Sequence, residues 1–139
     1  MSQADLSALA PVRRHREAQA ERAWRQQRDL LREREAAVVA ARTQWQAACE
    51  WQAAQREALY CQHRGRALSV CELNAWSAQE RRLMGELAEQ ARALQALDDE
   101  QAQQALNTET AQQRLQGRRR DLEKLKVLME QLVEPPCDE

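Results

Sequence analysis

From Leu73 to Leu132 the chain returns to one helical face every three or four residues, and most of those positions are apolar. The series runs Leu73, Trp76, Glu80, Leu83, Leu87, Gln90, Leu94, Leu97, Gln101, Gln104, Thr108, Ala111, Leu115, Arg118, Leu122, Leu125, Met129 and Leu132. An alternation of three and four keeps a narrow seam turned toward a partner helix, so the pattern predicts one long coiled-coil helix and not several short globular ones. The upstream half carries a second seam. Trp24, Leu31, Val38, Trp45, Gln52 and Leu59 share one heptad position, backed by Ala20, Ala41 and Ala48 at the other.

Between the seams stand Gln62, His63, Arg64, Gly65 and Arg66, followed by Ser69, Val70, Cys71 and Glu72. Gly65 suits a helix end. Ser69 and Glu72 have the spacing of a capping box, in which the Ser69 hydroxyl accepts from the Glu72 amide and the Glu72 carboxylate accepts from the Ser69 amide. The fold expected is all-α: a long antiparallel two-helix coiled-coil hairpin forming a single unit. Its first helix should run from about residue 12 to 62, its turn over about 63 to 68 and its second helix over about 70 to 133, with a short disordered tail beyond.

Composition narrows the fold further. The 139 residues include three glycines, three prolines and no phenylalanine, while strong helix formers abound. Hydrophobic residues make up 43% of the chain, but many are alanines, so burial must follow a seam and cannot fill a wide core. Helices of roughly 50 and 60 residues would give a rod on the order of 75 to 90 Å long. No leader pattern opens the sequence and no apolar run approaches a bilayer span, which points to the cytoplasm.

Cys49, Cys61, Cys71 and Cys137 form no CxxC pair, and free thiols are the expectation. A reversal centred near Arg66 brings Cys61 beside Cys71, where oxidation could join them. A zinc site from Cys61, His63 and Cys71 lacks a fourth ligand, so no metal and no cofactor is expected. Catalytic motifs are missing as well: no phosphate-cradling glycine loop, no HExxH and no GxSxG. The expectation is a binding protein, not an enzyme.

The same reversal sets Arg13, Arg14 and Arg16 against Arg118, Arg119 and Arg120 at the open end of the hairpin, with Arg22 close by. Like charges gathered in this way repel, and an anionic partner would relieve them; a solvated face with Glu17, Glu21 and Glu123 as local counter-charges fits equally. Nucleic acid is disfavoured, since the net charge is −1. Trp24, Trp45 and Trp76 occupy seam positions and read as packing residues. Trp51 at the seam's edge and Tyr60 farther out are candidate anchors for a partner. Gln101, Gln104 and Thr108 make a polar stretch in the seam, facing Trp24, Gln27 and Leu31, where register is fixed at a cost in stability.

Several segments resemble a known family. Leu9, Val12, Arg13, Arg14, Arg16 and Ala20 to Ala23 are similar to the opening of the type III secretion stalk proteins, the family of YscO (SctO) and its flagellar relative FliJ. Trp51 with Glu57 to Tyr60 resembles the end of that family's first helix, and Leu68 to Leu73 with Trp76 the start of its second. The resemblance implies a rod similar to the γ stalk of rotary ATPases, peripheral to the inner-membrane secretion apparatus. Its partners would be the hexameric secretion ATPase, the cytoplasmic domain of the export gate and, in addition, secretion chaperones. Arg13, Arg14, Arg16, Arg22, Arg118, Arg119 and Arg120 would meet the ATPase, and Trp51 and Tyr60 the gate or a chaperone. A lone stalk should be a monomer when isolated. Two rival readings remain: a structural coiled coil that dimerises through a faint second stripe of Leu30, Ala37, Trp51 and Ala58, and an escort chaperone for secretion substrates.

Overall fold

The computed structural model describes residues 2–133, and the expected tail with Pro135, Pro136 and Cys137 lies outside the described residues. The chain forms two helices that pack on each other, α1 over Gln3–His63 and α2 over Val70–Val133. Among the described residues there is no strand. The all-α hairpin expected from the two seams is the observed fold.

Helix α1 starts at Gln3, well before the expected position near residue 12. A cap at Ser2 is the reason. The Asp5 N–H donates to Ser2 Oγ at 3.2 Å, and the Ser2 N–H donates back to Asp5 Oδ2 at 3.1 Å, a reciprocal arrangement with aspartate in the glutamate role. Pro11 sits inside the helix, where its missing donor removes a single backbone hydrogen bond. Burial of Leu6 and Ala10 on Leu125, with Leu9 and Met129 alongside, offsets that loss.

Between the helices, residues 64–69 reverse the chain. Gly65 adopts φ 71°, the left-handed conformation that glycine takes without strain, and the Arg66 N–H donates to the His63 carbonyl at 3.2 Å. Half of the expected capping box at Ser69 forms: the Glu72 N–H donates to Ser69 Oγ at 3.1 Å. Among the described residues the Glu72 carboxylate makes no return bond, and the Leu73 N–H closes the first turn on the Ser69 carbonyl at 3.0 Å.

Two compact units divide the chain: residues up to Arg32 with those from Gln103 onward, here the terminal unit, and Glu33–Ala102, the turn unit. In the terminal unit the seam holds Leu6, Ala10, Ala111, Leu115 and Leu125, all buried. The expected polar stretch is paired. Gln104 Nε2 donates to Gln27 Oε1 at 2.7 Å and to the Gln27 carbonyl at 3.0 Å, and Thr108 Oγ1 donates to the same carbonyl at 3.1 Å. In the turn unit Val38 and Leu83 are buried, while Trp45, Leu87 and Leu94 are half-buried. Ion pairs span its helices: Arg34 to Glu100 at 2.7 Å, Arg42 to Asp98 at 3.6 Å and Arg56 to Glu80 at 3.9 Å. All three lie on exposed or half-exposed side chains and add little to stability.

The seam departs from the expected series at Gln90, which is exposed, and the adjacent Ala91 is half-buried in its place. A small apolar side chain takes the inward position while the longer amide reaches water. Leu73, Arg118 and Leu132 are also exposed. Trp24, Trp45 and Trp76 are half-buried, as packing residues should be. Of the faint second stripe, Leu30, Ala37, Trp51 and Ala58 are all exposed.

Candidate binding surfaces

The arginines of the terminal unit do not simply face one another. Arg13 is half-buried, and its Nη1 donates to the Asp121 carbonyl at 2.8 Å. Arg119 Nε meets Glu17 Oε1 at 3.4 Å, and Arg118 Nη1 lies 3.9 Å from Asp121 Oδ2. Thus Arg13 stands opposite Asp121, not among Arg118 to Arg120, and Arg119 stands opposite Glu17. The residue that Arg13 meets, Asp121, lies two positions beyond the one that a reversal centred at Arg66 would set opposite it, and this offset in register interleaves acids with the bases. By contrast Arg14, Arg16, Arg22 and Arg120 are exposed and make no ion pair among the described residues.

Beside these arginines runs an open groove of about 810 Å³, lined by Leu122, Leu125 and Met129 together with the cations Arg14, Arg119 and Lys126 and the carboxylates Glu123 and Glu130. Leucine 125 is 2% exposed and belongs to the core cluster with Leu6 and Ala10, so the apolar lining is the hairpin's own seam opening to solvent. The arrangement sets an apolar strip beside charges of both signs, among which Arg14 makes no ion pair among the described residues, and suits a protein partner that offers a carboxylate to that arginine.

In the turn unit Trp51 is 55% exposed and Tyr60 54% exposed. Their spacing along α1 is about two and a half turns, which puts the two rings on opposite sides of the helix. One flat surface cannot hold both. Near the turn His63 stacks on Trp76 with ring centroids 4.9 Å apart. Cys61 and Cys71 are exposed free thiols, Cys49 is half-buried and free, and Cys61 Sγ lies 3.7 Å from Glu57 Oε1. Among the described residues no group of three His, Cys, Asp or Glu side chains is placed to hold a metal ion.

A seam position of the turn unit carries a polar group that heptad reasoning passed over as ordinary. Gln52 is 7% exposed and makes no hydrogen bond among the described residues, but its amide reaches solvent; the buried polar atoms left without a partner there are Arg28 Nε, Trp45 Nε1, His63 Nδ1 and Trp76 Nε1. Gln52 lines a small cleft with Trp45, Arg56, Met84 and Leu87. No sequence signal separates it from Gln104, since pairing depends on what stands opposite.

Among the described residues no helix is long and apolar enough to cross a membrane. Neither a curated protein nor a solved structure matches the chain. A family model does, that of the type III secretion protein YscO, over residues 6–135. The match takes in both helices and the turn, and includes every residue singled out above for resemblance. The chain therefore belongs to the YscO family of type III secretion proteins.

Proposed function

We propose that this type III secretion protein is the central stalk of the secretion ATPase complex. In this reading its terminal unit enters the pore of the hexameric ATPase, and its turn unit reaches the cytoplasmic domain of the export gate. It works in the cytoplasm, peripheral to the inner membrane, and is a monomer when isolated. The observation that carries the reading is the set of four exposed arginines, Arg14, Arg16, Arg22 and Arg120, without ion pairs among the described residues. Uncompensated like charge disfavours a compact state unless a partner supplies carboxylates. Arg13, Arg118 and Arg119 are positioned by Asp121 and Glu17 and keep further N–H donors for the same partner. A single asymmetric helix pair inside a six-fold ring breaks its symmetry, which supports a role in assembling the hexamer and biasing hydrolysis. Trp51 and Tyr60, on opposite sides of α1, would serve two different contacts: one with the gate, the other with the gate or a secretion chaperone.

The test is light scattering on the purified protein, alone and mixed with the secretion ATPase from the same genome, with hydrolysis followed in parallel. A monomer that drives the ATPase into hexamers and raises turnover is expected. Charge reversal at Arg14, Arg16, Arg22 and Arg120 should keep helicity and weaken ATPase binding at least tenfold. A stable dimer without effect on the ATPase would overturn the stalk in favour of the structural coiled coil, whose exposed stripe of Leu30, Ala37, Trp51 and Ala58 would then be the contact.

A further inference from the structure

In the terminal unit, side chains reach across the helix pair to main-chain carbonyls at two levels. Arg13 Nη1 of α1 donates to the Asp121 carbonyl of α2 at 2.8 Å. Farther along α1, the Gln27 carbonyl accepts from Gln104 Nε2 and Thr108 Oγ1 of α2 at 3.0 and 3.1 Å. Arg13, Ala20 and Gln27 recur at one heptad position, so both levels belong to the same row of the α1 seam.

A carbonyl inside a helix is a fixed acceptor. When one helix slides along another, a surface carboxylate can swing after its donor, whereas a carbonyl held in its own helix stays behind and the hydrogen bond weakens steeply. The Arg119 to Glu17 contact, at 3.4 Å between side chains, is of the yielding kind, and Arg118 to Asp121 lies within α2 and says nothing about register. Buried apolar layers such as Ala10, Leu115 and Leu125 tolerate a change of register that a polar residue at a seam position opposes. Arg13 is such a residue, a half-buried cation whose hydrogen bond across the pair ends on main chain.

We propose that Arg13 is a positioning residue: its bond to the Asp121 carbonyl fixes where α2 stands along α1, and thereby places Arg119 on Glu17 and leaves Arg14 and Arg120 facing solvent unpaired. Two adjacent arginines then have different tasks, Arg13 placing the cationic surface and Arg14 contacting the partner. The task of Arg14 rests on the stalk reading; that of Arg13 is a property of the protein alone.

The experiment uses the full-length protein carrying Arg119→Lys, in which a zero-length carbodiimide cross-link to Glu17, identified by peptide mass spectrometry, reports the register. Adding Arg13→Met should lower the yield of that cross-link about fivefold or more with circular dichroism unchanged. Arg13→Lys in the same background should restore most of the yield, because an ammonium still donates to the carbonyl, and Arg14→Met should leave it unchanged. With residue 119 left as arginine, Arg13→Lys should bind the secretion ATPase as the parent protein does and Arg13→Met more weakly. An unchanged yield in Arg13→Met, equal losses in Arg13→Met and Arg14→Met, or a yield from Arg13→Lys no higher than from Arg13→Met would overturn the proposal. The cross-link is read without the ATPase, so a failure to bind it would remove the stalk reading and leave the placement decided by the yields.

Discussion

Gln104 Nε2 of α2 donates across the terminal unit to Gln27 Oε1 of α1 at 2.7 Å, so a side chain that is only 5% exposed keeps its hydrogen bonds inside the seam. Gln52 is the same residue type at similar depth without such a partner. Opposite responses to mutation follow. Gln52→Leu replaces an amide that has no protein partner and reaches solvent with apolar volume at a seam position, and should raise stability by up to about 1 kcal/mol. Gln104→Ala deletes a paired amide and leaves a gap, and should lower stability by about 1 to 2 kcal/mol. Urea melts of both variants against the parent protein measure the signs; the same sign for both would remove the hydrogen-bond argument.

Leu125, 2% exposed, packs with Leu6 and Ala10 where α1 begins. Leu125→Ala should destabilise the terminal unit by about 3 kcal/mol, because the lost transfer energy adds to that of the cavity. The effect is local in a seam that has no wide core. Amide exchange in the first three turns of α1 should therefore quicken more than exchange around Val38 and Leu83, which lie in the turn unit.

Gly65 holds φ +71°, and a Cβ built there meets nothing within 4 Å. Gly65→Ala should cost about 1 kcal/mol from conformational strain alone, with no steric share. The loss should leave helix content intact. A cost beyond about 3 kcal/mol in chemical denaturation would mean that the turn makes contacts the φ angle does not capture.

The Asp5 carboxyl is held below its ordinary value of 3.8 by the hydrogen bonds it accepts from the Ser2 hydroxyl and Ser2 N–H. A carboxyl lowered in the folded state stabilises above its unfolded pKa, and that contribution fades as pH falls through the folded value. The first turn of α1 should therefore fray below about pH 3.8 and stay capped above it. Amide exchange at Leu6 across that range reports the change, and Asp5→Asn should flatten it.

Two heptad series, a glycine and a serine cap were enough to specify an antiparallel helix pair, because three-and-four spacing and end signals are local properties of the chain. Half-burial of Trp24, Trp45 and Trp76 and exposure of Trp51 and Tyr60 followed from the same periodicity. What the local pattern could not specify was register. A shift of about half a turn turns a facing set of arginines into Arg13 on the Asp121 carbonyl and Arg119 on Glu17. The early start of α1 was hidden by Pro11, a helix breaker in isolation that here is outweighed by the Ser2 cap and by Leu6 and Ala10 packing on Leu125. Two glutamines at seam positions differ in what surrounds their amides, Gln27 for Gln104 and solvent for Gln52. Periodicity determines which side chains turn inward; which groups they meet is a property of two helices together, and the tertiary structure alone decides it.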